Sequence, residues 1–220
     1  MLTGRLFAVL GLCPYGKRLA DVGCDHAYLA CEAVKCGKFS LALCTDVRKG
    51  PLERAKESIN KADLAQSIKT RLCDGLDGVE DFAPDTVVIA GMGGELISTI
   101  ISRSQYVKGG CTLVLQPMTS AEELRMFLSE NGFSLEEEIL VSEGDKLYTA
   151  MRVRYTNKGE EYSPLEYLTG KTKNSPHYKD LLLRIKRRFM HKAEGMARAG
   201  LDITYETDII QRTEKELSQC

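Results

Sequence analysis

The sequence has no C-x-x-C pair, no apolar run long enough to span a bilayer, no internal repeat and no low-complexity tract. Its eight cysteines, at positions 13, 24, 31, 36, 44, 73, 111 and 220, lack the spacing of a zinc site, and five of them sit in apolar runs such as "LALCTDV" and "CTLVLQP". They read as small buried apolar residues in a reducing compartment, so neither a disulfide frame nor a metal is expected. Without a bilayer-length segment, no membrane association is expected either. The opening "MLTGRLFAVLGLC" has too short an apolar run for a leader, and Leu12 precedes Cys13 where a lipoprotein signal needs a small residue. A plain N-terminal helix and a cytoplasmic location follow. An excess of charge of one sign is lacking too, and a formal net charge of -1 excludes no partner until its distribution is read.

What is present suffices for a core: 43% of the 220 residues are hydrophobic, which suits one sizeable domain and a small appendage. From residue 17 to about 117, short β-branched runs ("KRLADVG", "LALCTDV", "IKTRLCD", "DTVVIAG", "CTLVLQP") alternate with helical patterns. That alternation predicts five parallel strands with crossover helices on both faces. "PLERAKESINKADL" carries Pro51 in a first-turn position and Leu52, Ala55, Ile59 and Ala62 on one face. "AEELRMFLSENG" follows Thr119-Ser120, a capping pair, and stops at Asn131-Gly132. "FSLEEEILVSEG" and "KLYTAMRVRY" then read as two strands joined by a Gly-Asp turn. Five parallel strands closed by a hairpin is the α/β plan of Rossmann-like, seven-stranded class I methyltransferases.

Residues 1–156 are expected to form that domain and residues 157–220 a helical C-terminal appendage. The polar stretch 157–175 reads as a linker, and two helical segments beyond it break at Gly200. Leu181, Leu182, Ile185, Phe189, Lys192 and Met196 make a largely apolar stripe of helical period in the first segment, and Ile203, Ile209, Ile210 and Leu217 serve the second, so an antiparallel hairpin is expected. Residues 171–198 hold nine Lys/Arg against two Asp/Glu, a local +7. The stripe containing Lys186, Arg187 and Arg188 suits a phosphate backbone, and it equally suits a solvated helix face paired with the acidic second helix.

The first strand runs into "ADVGCDHAYLA", where a dinucleotide-binding turn would show G-x-G-x-x-G. Only Gly23 fits, and Asp25 stands where the second glycine would admit a pyrophosphate, which a carboxylate repels. S-adenosylmethionine carries no phosphate and is cationic through its ammonium and sulfonium. Asp21 and Asp25 become favourable neighbours for it, and the following helix N-terminus can receive its carboxylate. Asp46, ending the second strand, can accept from both ribose hydroxyls, and Asp74, after the third, is positioned for the adenine amino group with Gly75 and Leu76 along the ring. Each position alone would equally serve as a turn or helix cap. A nicotinamide oxidoreductase and a non-catalytic module remain competing readings, the first opposed by Asp25.

"RLADVGCDHAYLA", "IAGMGGELI", "LQPM" and "DKLYTAM" resemble, in order, the motifs of the TrmK tRNA (adenine(22)-N1)-methyltransferases. The resemblance covers essentially the whole catalytic domain and extends to a helical, coiled-coil-like C-terminal extension. It implies methyl transfer from S-adenosylmethionine to N1 of an adenine in the D-arm of bacterial tRNA, with the appendage helping to hold the tRNA. Cys24, Val47 and Gly91 then join the expected cofactor surface. Ala30 departs from the family's proline, Met118 from its asparagine and Asp46 from its usual glutamate. A methyltransferase acting on another RNA, a protein or a small molecule is the alternative, and a monomer is the favoured state.

Adenine N1 attacks with an in-plane lone pair, so positioning is the main demand, and a group able to take the N6 proton would help. Asp25 and His26 are the candidates, although a histidine in a turn often has only a structural task. A paired adenine hides N1, so the base must be extruded or already unpaired. Tyr28, Met92, Gly93, Gly94, Gln116 and Pro117 are expected to form its pocket. The loop "IAGMGGEL" lacks the Asn/Asp-Pro-Pro-aromatic acceptor set of enzymes that methylate exocyclic amines. Its glycines read as room for a flat base.

Overall fold

The computed structural model describes residues 2–219. The Thr3 hydroxyl accepts from the Leu6 N–H and starts α1 (Gly4–Leu12), which buries Val9, Leu10 and Leu12. There follow β1 (Arg18–Val22), α2 (Tyr28–Lys35), β2 (Leu41–Asp46), α3 (Lys49–Lys61), β3 (Ile68–Leu72), β4 (Thr86–Met92), α4 (Gly94–Ser102), β5 (Thr112–Pro117), α5 (Ala121–Glu130), β6 (Phe133–Glu143) and β7 (Lys146–Tyr155). The strands form one seven-stranded sheet in the order β3-β2-β1-β4-β5-β7-β6. β1 to β5 pair in parallel, and β7 lies antiparallel to both β5 and β6.

Side-chain alternation divides the interior in two. Leu19, Val88 and Val114 face a layer that includes α1, α2 and α3, whereas Ala20, Val22, Val87, Ile89, Leu113 and Leu115 face α4 and α5. With both faces covered, the central strands must be apolar throughout, which is why they appear in sequence as continuous runs. The strand order reverses between β1 and its neighbours β2 and β4. A crevice therefore opens at their carboxyl ends.

Two turns show how local chemistry sets this frame. Gly144 takes φ +59 in the two-residue loop that pairs Glu143 with Lys146, as a tight hairpin requires. The expected cap of α5 is different: Ser120 adopts the left-handed conformation (φ 56, ψ 40), and its side chain caps nothing. Its carbonyl oxygen packs against Gly94 instead, so the backbone there follows a tertiary contact.

Residues 1–160 and 161–220 form two separate compact units. In the second, the stretch expected to be a linker contains α6 (Pro164–Thr169). Ser163 and Glu166 form a reciprocal capping box with Pro164 at the first helical position, a signal legible as S-P-L-E. α7 (Tyr178–Arg198) and α8 (Thr204–Leu217) follow, with Gly200 at φ +70 between them. Leu165, Leu168, Ile185, Phe189 and Ile209 form this unit's core. The ion pairs Lys186–Glu214 (2.7 Å) and Lys192–Glu206 (2.8 Å) run in opposite chain directions, as an antiparallel hairpin requires.

Among the described residues no disulfide forms and the seven cysteines are free; Cys220 lies outside them. No described helix is long and apolar enough to cross a membrane, and no described group of His, Cys, Asp or Glu could hold a metal ion.

Candidate active site

The crevice holds a cavity of about 510 Å³. Of the residues expected at a cofactor, Gly23, Asp25, Asp46, Val47, Asp74, Gly75 and Gly91 line it, and so does Met92. A second cavity of about 510 Å³ shares Asp74 and Gly75 and continues to Leu76, Asp77 and Tyr106.

The first turn is pinned from below. The N–H groups of Gly23 and Cys24 both donate to the Thr45 carbonyl, at 2.8 and 3.0 Å. Gly23 has φ +71, and a Cβ there would overlap the methyl of Met92. Asp25 (φ 46) and Ala27 (φ 56) are also left-handed, at a cost of about 1–2 kcal/mol for a residue such as alanine. Strain of this kind concentrates where a backbone is held for a purpose. Asp25 Oδ1 accepts from Arg54 Nη2 at 2.5 Å, and this carboxylate raises the arginine's pKa. Its Oδ2 lies 3.6 Å from His26 Nε2, and the His26 ring stacks on Tyr28 with centroids 5.1 Å apart. His26 and Tyr28 do not line the cavity.

The strand-end acids differ in setting. Asp46 is nearly buried, and its Oδ1 accepts the Arg48 N–H at 2.9 Å. Asp74 is exposed and receives Arg103 Nη1 at 2.9 Å, while Arg103 Nη2 reaches Asp77 at 3.4 Å. The expectation for Asp21 needs correction. It is 5% exposed and does not line the cavity. Burial raises its pKa to about 7, partly offset by the Ala30 N–H that it accepts. Asp21 thus secures the start of α2 beneath the turn. Cys24 does not line the cavity either; hydrogen bonding with it is the largest cause of the raised pKa of buried Cys44.

The "IAGMGGEL" loop is a second fixed object. Gly91 (φ +80) is an extra residue in β4, because the register against β5 passes from Ala90–Gln116 directly to Met92–Pro117. Its N–H donates to Gln116 Oε1 at 3.1 Å. The Met118 N–H donates to Met92 O at 2.8 Å and the Gly94 N–H to Thr119 O at 2.9 Å, joining this loop to the one after β5. Two pocket expectations change here. Gln116 has no exposed surface, and its Nε2 donates to Pro117 O at 2.8 Å, so it supports the loop from behind. Gly94 is buried, and a Cβ there would overlap the Ser120 carbonyl oxygen. It is small for close packing of two backbones, not for a base. Gly93 stands at the N-terminus of α4, where a Cβ would lie 3.2 Å from the Thr119 hydroxyl, and it does not line the cavity. Leu96, Arg54 and Ile100 also line the cavity without having been expected there.

In the helical unit, Lys186 is committed to Glu214 of α8. Arg187 is exposed, and Arg188 lies over the Phe189 ring at 4.9 Å. The α7 charge is therefore partly an internal pairing and partly an open basic face.

A carboxylate in the first turn, further acids at the ends of β2 and β3, and a fixed glycine loop over a switch-point cavity define a Rossmann-like methyltransferase domain. A family model described as a methyltransferase domain matches residues 2–151. The tRNA (adenine(22)-N(1))-methyltransferase of Bacillus subtilis (strain 168) is 33% identical over 170 residues, covering 77% of this chain and 71% of the relative. The crystal structure of the B. subtilis M1A22 tRNA methyltransferase TrmK superposes with TM-score 0.82 at 26% identity, covering 99% of this chain and 96% of that one. A Streptococcus pneumoniae structure in complex with S-adenosyl-L-methionine gives 0.84 at 28% identity, over 99% and 100% of the two chains. The chain belongs to the tRNA (adenine(22)-N(1))-methyltransferase family.

Proposed function

We propose that this protein transfers the methyl group of S-adenosylmethionine to N1 of adenine 22 in the D-arm of tRNA. The observation that carries the reading is the cavity that brings Asp25, Asp46 and Asp74 together under the Gly91 loop. Bound there, S-adenosylmethionine supplies an electrophilic methyl on a cationic sulfur. The residues fit that group: they offer carboxylates where a dinucleotide's phosphates would be repelled. Asp46 accepts the ribose hydroxyls, Asp74 the adenine amino group, and Val47, Gly75 and Leu76 flank the ring. Gly23 and Gly91 contribute backbone, Cys24 holds the turn from beneath through Thr45 O, and Asp25 offsets positive charge.

The base enters beside Met92, Gly93 and Pro117, with Tyr28 at the rim. As the methyl passes from sulfur to N1, Asp25 or His26 takes the N6 proton, so the base leaves in its neutral imino form and regains that proton in water. Residues 1–156 carry the chemistry. Residues 157–220 hold the tRNA through the exposed basic face of α7, which includes Arg187 and Arg188, with Lys186 bracing the hairpin. The protein acts as a cytoplasmic monomer, without metal or membrane.

The test is tritium transfer from labelled cofactor to unmodified tRNA, followed by nucleoside digestion. The expected product is 1-methyladenosine, lost when adenine 22 is replaced. An N6-methyladenosine product, or label on protein or a metabolite, would overturn the reading.

A further inference from the structure

Gly91 poses a question that the cofactor does not answer: what keeps an unpaired bulge residue at φ +80 in one shape beside the reacting atoms? The bulge takes its N–H out of the β ladder, so another acceptor has to hold it. Gln116 Oε1 receives it at 3.1 Å. A primary amide can flip, however, and its orientation is set only by its other hydrogen bonds.

One of those bonds runs from Nε2 to Pro117 O at 2.8 Å, and another leads to α1. Arg5 Nη1 donates to the same Gln116 Oε1 at 2.6 Å and lies 3.0 Å from Met118 Sδ. A flipped amide would turn its NH2 toward two donors, the guanidinium and the Gly91 N–H, and would lose the Pro117 acceptor, so Arg5 and Pro117 O together hold one orientation. Arg5 is itself held. Its side chain is 18% exposed, its guanidinium forms an ion pair with Glu143 (Nε to Oε2 3.5 Å) without a hydrogen bond from Nε, and it stands over the Tyr148 ring at 5.4 Å. Glu143 also balances its charge close to a cationic cofactor.

We propose that Arg5 is a positioning residue for methyl transfer: by fixing the Gln116 amide it holds the Gly91 bulge, and the loop that receives the base, in the shape that in-line attack needs. Gly91 and Met92 both line the cavity, and Met92 lies against Gly23 of the first turn. A loosened bulge therefore moves the base-side wall relative to the cofactor-side wall. Misplacement by about 1 Å is enough to cost ~10²-fold in rate. Lysine would supply the charge but not the fork that meets Gln116 and Glu143 together.

This inference rests on the proposed tRNA methylation, and the experiment separates the two. Arg5→Met, Arg5→Lys, Gln116→Met and the double variant Arg5→Met/Gln116→Met are assayed for kcat and KM on tRNA, cofactor affinity by calorimetry, and melting temperature. Arg5→Met is expected to lower kcat by about 10–100-fold with cofactor affinity changed by less than about threefold, and Arg5→Lys to recover part of the loss. Because Arg5 acts through Gln116, the double variant should be no slower than the slower single variant. Unchanged kcat in Arg5→Met, losses that multiply in the double variant, or a loss confined to KM for tRNA would overturn the proposal. If Arg5→Met does not fold, Arg5→Lys carries the same comparison. Failure of the wild-type protein to methylate tRNA would instead overturn the function proposed above.

Discussion

Replacing Gly94 by alanine tests whether the glycine loop is shaped by backbone packing. A Cβ at this position would overlap Ser120 O and lie 2.9 Å from Ser120 C and 3.1 Å from Thr119 O. All three neighbours are main chain, and they cannot swing away as a side-chain tip would. The Gly94 N–H already holds Thr119 O at 2.9 Å, so relief requires the two loops to part and that bond to stretch. Overpacking of this kind costs ~1–3 kcal/mol, and contact with backbone argues for the upper end. Alanine's better helix propensity, at this first helical position less than the ~1 kcal/mol of a helix interior, offsets part of that. The net expectation is a loss of about 2 kcal/mol, equivalent to a melting point lower by roughly 4–8 °C in a domain of this size. Urea unfolding followed by circular dichroism measures it, with Gly11→Ala as the comparison, since nothing lies within 4 Å of a Cβ there. Gly11→Ala should be neutral or stabilising. A Gly94→Ala midpoint at or above the wild-type value would refute the packing account and return this glycine to the base pocket.

Three further outcomes are expected. Asp46→Ala should weaken binding of S-adenosylmethionine by about 10²–10⁴-fold in calorimetry, because two hydrogen bonds to a charged acceptor are worth ~1.5–3 kcal/mol each. Asp21 ionises at about 7 in the fold against 3.8 as a free side chain, so the native state keeps a proton that the unfolded chain has released. Its effect is therefore absent below that lower value, and stability falls as pH rises from about 4 to about 7, by up to about 4 kcal/mol, then levels off. Asp21→Asn should lack this dependence in denaturant titrations across that range, and a constant gap between the two proteins would contradict the buried-carboxyl account. Arg125 and Glu138, 4% and 0% exposed at the side chain, meet at 2.6 Å with Thr149 Oγ1 also donating to Glu138. Arg125→Met should cost about 3–5 kcal/mol of stability in urea unfolding, and the joint replacement Arg125→Met/Glu138→Leu much less.

The sheet was legible because strands buried on both faces leave continuous apolar runs, and because Gly144-Asp145 and Asn131-Gly132 mark turns by backbone necessity. The acids at 25, 46 and 74 could be assigned to one cavity because strand ends converge in any sheet of this topology. Contacts between distant side chains left no such trace. Nothing near Arg54 announces that it will meet Asp25 across the crevice, and nothing in "TGRLF" points to Gln116. Ser120 shows the opposite error: its residue type suits a helix cap, but close packing with Gly94 dictates its conformation. The S-P-L-E box of α6 was readable and was submerged in polar composition. The ambiguity of the basic stripe was genuine, since only the partner helix reveals that Lys186 is spoken for while Arg187 stays open.

The seat of α1 also orders events in time. Arg5 meets a residue 111 positions later, and the Leu12 carbonyl accepts from Arg152, 140 positions later, while the helix as a whole rests on β6 and β7. During synthesis this helix leaves the ribosome long before its seat exists. At about 5–20 residues per second it waits roughly 8–30 s for the hairpin ending at Tyr155. Closing so long a loop comes late in any folding route. The Gly91 bulge therefore takes its final shape only after the last strand has docked, and a nascent chain carrying every residue of the first turn is still not a competent enzyme.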